Sequence, residues 1–324
     1  MSFAFVFPGQ ASQSVGMLAA LAQTDAVVKA TFDEASAVLG YDLWQLAQEG
    51  PDEKLNSTEC TQPAMLAAGV ATWRFWHNRG GGEPTLVSGH SLGEFTAFVC
   101  AGAIDFAAAV DLVRFRGQVM QEAVPAGAGA MAAILGLEDA EVEQACREAA
   151  QGEVVEAVNF NSPGQVVIAG QATAVARAVE TAKGRGAKKA IPLAISVPSH
   201  SSLMRAAGER LAERLAGIEI RPPRIQCLSP VDIAAHQQPA EIRAHLSQQL
   251  SRPVQWWAAV RAIAKANIAQ MIECGPGKVL TALNRRIEKR PGLEFLALQD
   301  PASVDAALAA TQATQASQGV AHAG

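Results

Sequence analysis

A serine bracketed by glycines, Gly89-His90-Ser91-Leu92-Gly93, follows the short apolar run Thr85-Leu86-Val87-Ser88 and precedes a helix-like stretch from Glu94 to Ala101. At a strand-to-helix turn, such a serine is held in a strained backbone position with its hydroxyl exposed. The glycines let the two elements approach closely, and the helix start offers N–H groups to a developing oxyanion. This is the pattern of a nucleophile elbow, and its chemistry would be acyl transfer through an ester on Ser91. An ordinary glycine-bracketed turn would show the same five residues, so the strand before and the helix after carry the argument.

A serine hydroxyl is a weak nucleophile at neutral pH and needs a base, most often histidine. Six histidines are available. His77 and His236 fall at helix or loop edges, His245 within a helix and His322 in the tail; His90 adjoins the serine but is directed elsewhere along the turn. His200, in Val197-Pro198-Ser199-His200, stands where a candidate inserted unit hands the chain back to the main body, a junction of the kind that forms clefts. Its alternative role is to cap the helix that starts at Ser202.

Helical arithmetic singles out Arg116. At about 100° per residue, Phe106, Val110, Val113, Gly117, Met120 and Val124 share one side of their helix, with Arg116 on the flank of that stripe. Arg114 falls instead among Asp111, Gln118 and Gln121, where a charge is solvated. An arginine on an apolar flank is costly unless a carboxylate meets its guanidinium. That carboxylate is either an internal Asp or Glu, or part of a substrate; the second case implies a dicarboxylic half-thioester.

The elements that must position these groups alternate. Phe3–Phe7 reads as a buried strand ending at Pro8-Gly9, and helices are expected over Ala26–Leu39, Asp42–Gln48, Gln62–Arg79 and Phe106–Val124. From Gly127 the rhythm changes to strand Ala130–Leu135, helix Glu138–Ala150, strands Val154–Asn159 and Gln165–Ala169, helix Thr173–Arg185 and strand Ala190–Val197. That β-α-β-β-α-β order is the ferredoxin-like split unit. Helices follow over Ser202–Ala216, Ala240–Leu250, Pro253–Ala266 and Val279–Lys289, with strands Ile225–Leu228 and Ala269–Glu273. The expected architecture is an α/β-hydrolase-like core with a parallel sheet (residues 1–126 and 198–310) plus an inserted ferredoxin-like small subdomain (127–197). The Ala/Gln/Ser/Thr-rich segment 311–324 lacks an apolar period and is expected to be a flexible, frayed tail.

With 324 residues and 49% hydrophobic content, the chain can bury a large core. A net charge of −5 argues against wholesale binding to nucleic acid or acidic membranes. The five cysteines are scattered, odd in number and without C-x-x-C spacing, which fits reduced thiols in a cytoplasmic protein. No apolar run reaches membrane-spanning length, and the N-terminus lacks a basic lead segment, so neither export nor insertion is expected. No P-loop, dinucleotide fingerprint or His/Cys/Asp cluster at ligand spacing appears, so no metal or resident cofactor is expected. Nor does any heptad run, and a monomer is expected.

Several stretches together resemble the malonyl-CoA:acyl carrier protein transacylases of dissociated bacterial fatty acid synthesis. They are Phe7-Pro8-Gly9-Gln10-Ala11-Ser12-Gln13, Gly89-His90-Ser91-Leu92-Gly93-Glu94, Arg114-Phe115-Arg116-Gly117-Gln118-Val119-Met120, Asn159-Phe160-Asn161-Ser162-Pro163-Gly164-Gln165, Val197-Pro198-Ser199-His200, Pro253-Val254-Gln255-Trp256 and Glu273-Cys274-Gly275-Pro276-Gly277-Lys278. The resemblance spans nearly the whole chain. It implies Ser91 as nucleophile, His200 as general base and Arg116 as clamp for the malonyl carboxylate. It also implies backbone N–H groups of Gln10 and Leu92 as the oxyanion hole, and a main-chain carbonyl near Gln249 in place of a third acidic residue. Malonyl-CoA and acyl carrier protein are the substrates it implies, coenzyme A entering only as part of a substrate.

Two departures stand out. Ala11 occupies a position where this family usually has glycine, which is harmless at negative φ and distorting at positive φ. Cys227-Leu228-Ser229-Pro230-Val231-Asp232 replaces an Asn-rich strand end. A hydrolase would share the elbow but show an acidic residue between serine and histidine, and a non-catalytic carrier-docking subunit would not need Ser91, His200 and Arg116 together. For an acidic carrier, two basic clusters are available: Arg185, Lys188 and Lys189, and Arg285, Arg286, Lys289 and Arg290.

Overall fold

In the computed structural model, residues 2–194 and 197–321 are described. Among the described residues nine strands form two sheets. The larger contains β1 (Ser2–Phe7), β2 (Leu86–Gly89), β7 (Gln226–Leu228), β8 (Ile268–Glu273) and β9 (Glu294–Ala297) in the order β7-β2-β1-β8-β9, with every pairing parallel. The smaller contains β3 (Gly129–Leu135), β4 (Val155–Ser162), β5 (Gln165–Gln171) and β6 (Lys189–Pro192) in the antiparallel order β4-β5-β3-β6.

Strand β1 shows why the parallel sheet forms. Its side chains alternate faces, and both faces are covered. Phe3, Phe5 and Phe7 enter the larger core, where Phe5 meets the edges of Trp73 and Trp76 from the helix Thr58–Asn78. Ala4 and Val6 enter a second core with Trp256, Val260 and Ile263. The carboxyl ends of the parallel strands therefore share one rim, the place where open α/β sheets bind ligands.

The small sheet covers that rim. Ala132 and Ile134 of β3 pack beneath the helices Asp139–Ala150 and Ala172–Gly184. Met131, with Val167 and Ala169 of β5, occupies the opposite face. The small sheet is stitched to the main body by Val254, which donates to Val158 O and accepts from Phe160 N, and by Glu156, which accepts from Ser202 N and Oγ.

Three expectations are corrected. The helix expected from Gln62 starts at Thr58 and carries Pro63 inside it, where the ring removes one backbone donor from the helical ladder. The segment expected to fray from Thr311 continues the helix Pro301–Ala321. The strand expected over Ala190–Val197 spans Lys189–Pro192; positions 195–196, like His322, lie outside the described residues. Strand β9 and the helix that follows it were not anticipated.

Candidate active site

The elbow is built by close packing. A Cβ on Gly89 would stand 2.0 Å from the carbonyl carbon of Gly93, and one on Gly93 would stand 2.0 Å from the carbonyl oxygen of Phe7. Only glycines let β1, β2 and the helix Leu92–Cys100 meet so closely. Ser91 is forced to φ 52°, ψ −110°, a conformation non-glycine residues rarely adopt, which lifts its side chain out of the turn. Leu92 is the first residue of that helix, so its N–H lies outside the i→i−4 ladder. Gln10 reaches the same cavity, of about 170 Å³, from the end of β1.

Ser91 Oγ lies 2.8 Å from His200 Nε2. His200 is itself at φ 67°, held by its N–H on the carbonyl of Leu250. Its Nδ1 lies 2.9 Å from the backbone carbonyl of Gln249. A carbonyl only accepts, so Nδ1 carries the proton and Nε2 presents a lone pair to the serine. Burial, and then the charge of Arg116, push the His200 pKa down to about 3, partly offset by the Gln249 carbonyl.

Arg116 is 1% exposed. It donates to Gln62 Oε1 and Gln249 Oε1, both at 2.9 Å, and to Ser91 Oγ at 3.3 Å. Its Nε has no partner. Among the described residues no carboxylate forms an ion pair with it, so the internal Asp or Glu considered from sequence is replaced by two neutral amides. Burial lowers its pKa to about 10, with Glu94 acting in the opposite sense, and it stays charged at neutral pH. Arg114, two residues away, pairs with Asp111 at 2.7 Å and is one-third exposed.

Behind these groups runs a buried polar chain. The Gln249 amide donates to Ser91 O at 3.0 Å and to Glu94 Oε2 at 2.6 Å, and Glu94 Oε1 accepts from His245 Nε2 at 2.9 Å. His90 is turned away from the serine towards Asn161 Oδ1, 2.9 Å distant, and burial lowers its pKa. The amides of Gln62 and Gln249 and the carboxylate of Glu94 were not identified from sequence; Gln62, a polar residue inside an apolar helix face, was the one available signal. The small sheet contributes Met131 and Val167 to the cavity wall, and Leu193, just past β6, adds to it. Ala11 stands at φ 80°, with its N–H on Gln13 Oε1 at 2.8 Å, so its methyl sits where glycine is favoured.

The arrangement offers a nucleophile, a neutral base and an uncompensated cation around one apolar-walled cavity. Residues 4–311 match the acyl transferase domain family. The chain is 55% identical over 306 residues to the malonyl CoA-acyl carrier protein transacylase of Salmonella typhimurium, covering 94% of this chain and 98% of that one. The Escherichia coli enzyme of the same name is 54% identical over the same length, with the same coverage. An acyl carrier protein S-malonyltransferase from Vibrio cholerae superposes with a TM-score of 0.92 at 56% identity, covering 95% of this chain and all of that one. A malonyl-transacylase solved in complex with its type II PKS acyl-carrier protein superposes with a TM-score of 0.93 at 53% identity, covering 95% of this chain and 99% of that one.

Proposed function

Because the chain belongs to the malonyl-CoA:acyl carrier protein transacylases of the acyl transferase domain family, we propose that Ser91 carries a malonyl group from coenzyme A to the phosphopantetheine thiol of acyl carrier protein, supplying fatty acid chain elongation. Ser91 Oγ attacks the thioester carbonyl while its proton passes to His200 Nε2. The carbonyl oxygen becomes an oxyanion facing the N–H groups of Gln10 and Leu92. Collapse breaks the C–S bond, and His200 returns the proton to the departing thiolate. The carrier thiol then repeats the sequence in reverse on the malonyl-serine ester, and no resident cofactor takes part.

One observation carries the choice of acyl group: a buried, charged guanidinium 3.3 Å from the nucleophile with no carboxylate of its own. A malonyl carboxylate supplies the missing partner. It also cancels the positive charge that depresses His200, so the correct substrate strengthens its own base. Unpaired, buried cysteines support a reducing compartment, and we place the enzyme in the cytoplasm. Incubation with malonyl-CoA should yield a malonyl adduct on the Ser91 peptide by mass spectrometry. An equal adduct in Ser91→Ala would overturn the assignment.

The carrier would meet one basic rim rather than two clusters. Arg185 is held by Glu141 and Glu148, and Arg290 binds the carbonyls of Ala264 and Ile268. Arg286 donates to Gln165 at 3.3 Å; Gln165 pairs with Leu135, and Leu135 with Lys189. Residues directly opposite across a sheet share a face. That face is the one that carries Met131 and Val167 into the cavity, so exposed Lys189 and Arg286 border its continuation.

A further inference from the structure

Outside the transfer machinery, three side chains capable of binding a metal converge beside the loop after β7. Asp232 and His236 stand on that loop, and His245 stands on the helix Pro239–Gln248. His236 Nε2 lies 3.0 Å from Asp232 Oδ2, and His245 Nδ1 lies 3.6 Å from the same oxygen. All three ligand atoms fall within 4.8 Å of one another. Around tetrahedral zinc, with bonds of about 2.0–2.1 Å, ligand atoms stand roughly 3.3 Å apart. Two edges of the triangle are already near that spacing, and the third needs only a small closure.

The surroundings strengthen the case. Glu94 Oε1 accepts from His245 Nε2 at 2.9 Å, which places the proton on Nε2 and leaves Nδ1 facing Asp232. A buried carboxylate behind an imidazole is the arrangement that fixes the tautomer and raises the basicity of metal-bound histidines. Ser229 Oγ, 2.9 Å from the same Nε2, meets the ring at the same edge as Glu94. The His236 and His245 rings stack with centroids 4.4 Å apart, so the loop-borne His236 ring must turn for its in-plane lone pair to meet an ion shared with His245. A single dication would satisfy Asp232 and both ring nitrogens at once. Asp232 and His236 are partly exposed, which gives an ion a route in and leaves room for a water ligand.

We propose that Asp232, His236 and His245 form a zinc-class divalent cation site. Two imidazoles with one carboxylate select a transition ion over Mg²⁺ or Ca²⁺, which take oxygen ligands. Bound there, the ion ties the loop after β7 to the helix that leads directly into Gln249, and so braces the wall behind His200. It takes no part in acyl transfer.

The test uses the untagged full chain, stripped with a chelator and titrated with zinc chloride in a calorimeter, with its thermal midpoint followed in parallel. One equivalent of zinc per chain and a raised midpoint are expected. His236→Ala and Asp232→Asn should each weaken zinc binding at least about tenfold and abolish the midpoint shift, while malonyl loading by metal-free His236→Ala stays at the metal-free wild-type rate. The absence of stoichiometric binding would overturn the site. So would equal binding by both variants, which would assign the zinc to cysteines or other histidines and leave the cluster as an ion-pair network.

Discussion

His200 and His245 are both buried, yet their pockets drive them in opposite directions. His200 faces a backbone carbonyl and a guanidinium, and burial with the Arg116 charge pushes its pKa down to about 3. Burial opposes the charged form of His245 as well, but Glu94 and Asp232 outweigh it and the pKa rises. The two pockets touch through Glu94 and Gln249, whose neutral amide is interposed between the carboxylate and the catalytic wall. The contrast teaches why a third acidic residue is missing from the catalytic set. A carboxylate on His200 would stabilise imidazolium better than a carbonyl does. It would also pair with Arg116 and occupy the cation that the proposed mechanism reserves for a malonyl carboxylate.

Removing the neutral base gives the largest expected effect. His200→Ala should slow malonyl loading and carrier transfer alike by about 10² to 10⁴. Stopped-flow measurement of both half-reactions checks this, and a variant impaired in only one would deny His200 its shared role.

Removing the cation comes next. Arg116→Ala should cost malonyl transfer about 2–5 kcal/mol, roughly 30- to 5,000-fold, while acetyl transfer is spared. The same variant probes the His200 pocket through pH. On the proposed mechanism neutral His200 is the base, so the rate should fall as pH drops through its pKa, which in the wild type lies far on the acid side of 6.5. Loss of the positive neighbour should move that acid limb towards neutrality when followed with acetyl-CoA. An unmoved limb would leave burial as the sole cause of the depression.

How much of this was legible depends on how local each signal is. The elbow is contiguous: strand, glycines, serine and helix lie within one short stretch, and packing distances at Gly89 and Gly93 explain the pattern. Arg116 is legible because helical periodicity assigns it to a buried flank. The amides that hold it are not, because Gln62 and Gln249 lie 54 and 133 residues away and carry no charge to draw attention. Asp232, His236 and His245 escape a search by ligand spacing because the chain passes from a loop into a helix between them. The frayed tail follows from a missing apolar stripe, whereas the helix Pro301–Ala321 runs on through that segment.

Charge at the rim, far from either histidine, should act more weakly and only on encounter. Lys189→Glu combined with Arg286→Glu should raise the apparent KM for acyl carrier protein several-fold at low salt, with malonyl loading from coenzyme A much less affected. The difference should shrink as added salt shortens the screening length to about 8 Å. Carrier kinetics unchanged at low salt would move the docking surface elsewhere.

The smallest effect concerns backbone strain on the His200 side of the comparison. Ser91 and His200 hold positive φ because close packing and hydrogen bonds over-determine them, and their side chains require it. Ala11, at φ 80°, has no such excuse: its methyl makes no chemistry, and its N–H is held by Gln13, which in turn donates to Asn56 at 2.6 Å. A left-handed alanine costs about 1–2 kcal/mol. Glycine removes that cost but adds roughly 0.5–1 kcal/mol of chain entropy in the unfolded state. Ala11→Gly should therefore stabilise the protein by a net ~0.5–1 kcal/mol, seen as a higher denaturant midpoint at unchanged slope. Loading by Ser91 should stay near normal, since the Gln13 bridge still fixes the loop that presents Gln10. A lower midpoint would mean that the methyl's packing outweighs its strain, and that this loop, unlike the elbow, has adapted to a residue its backbone disfavours.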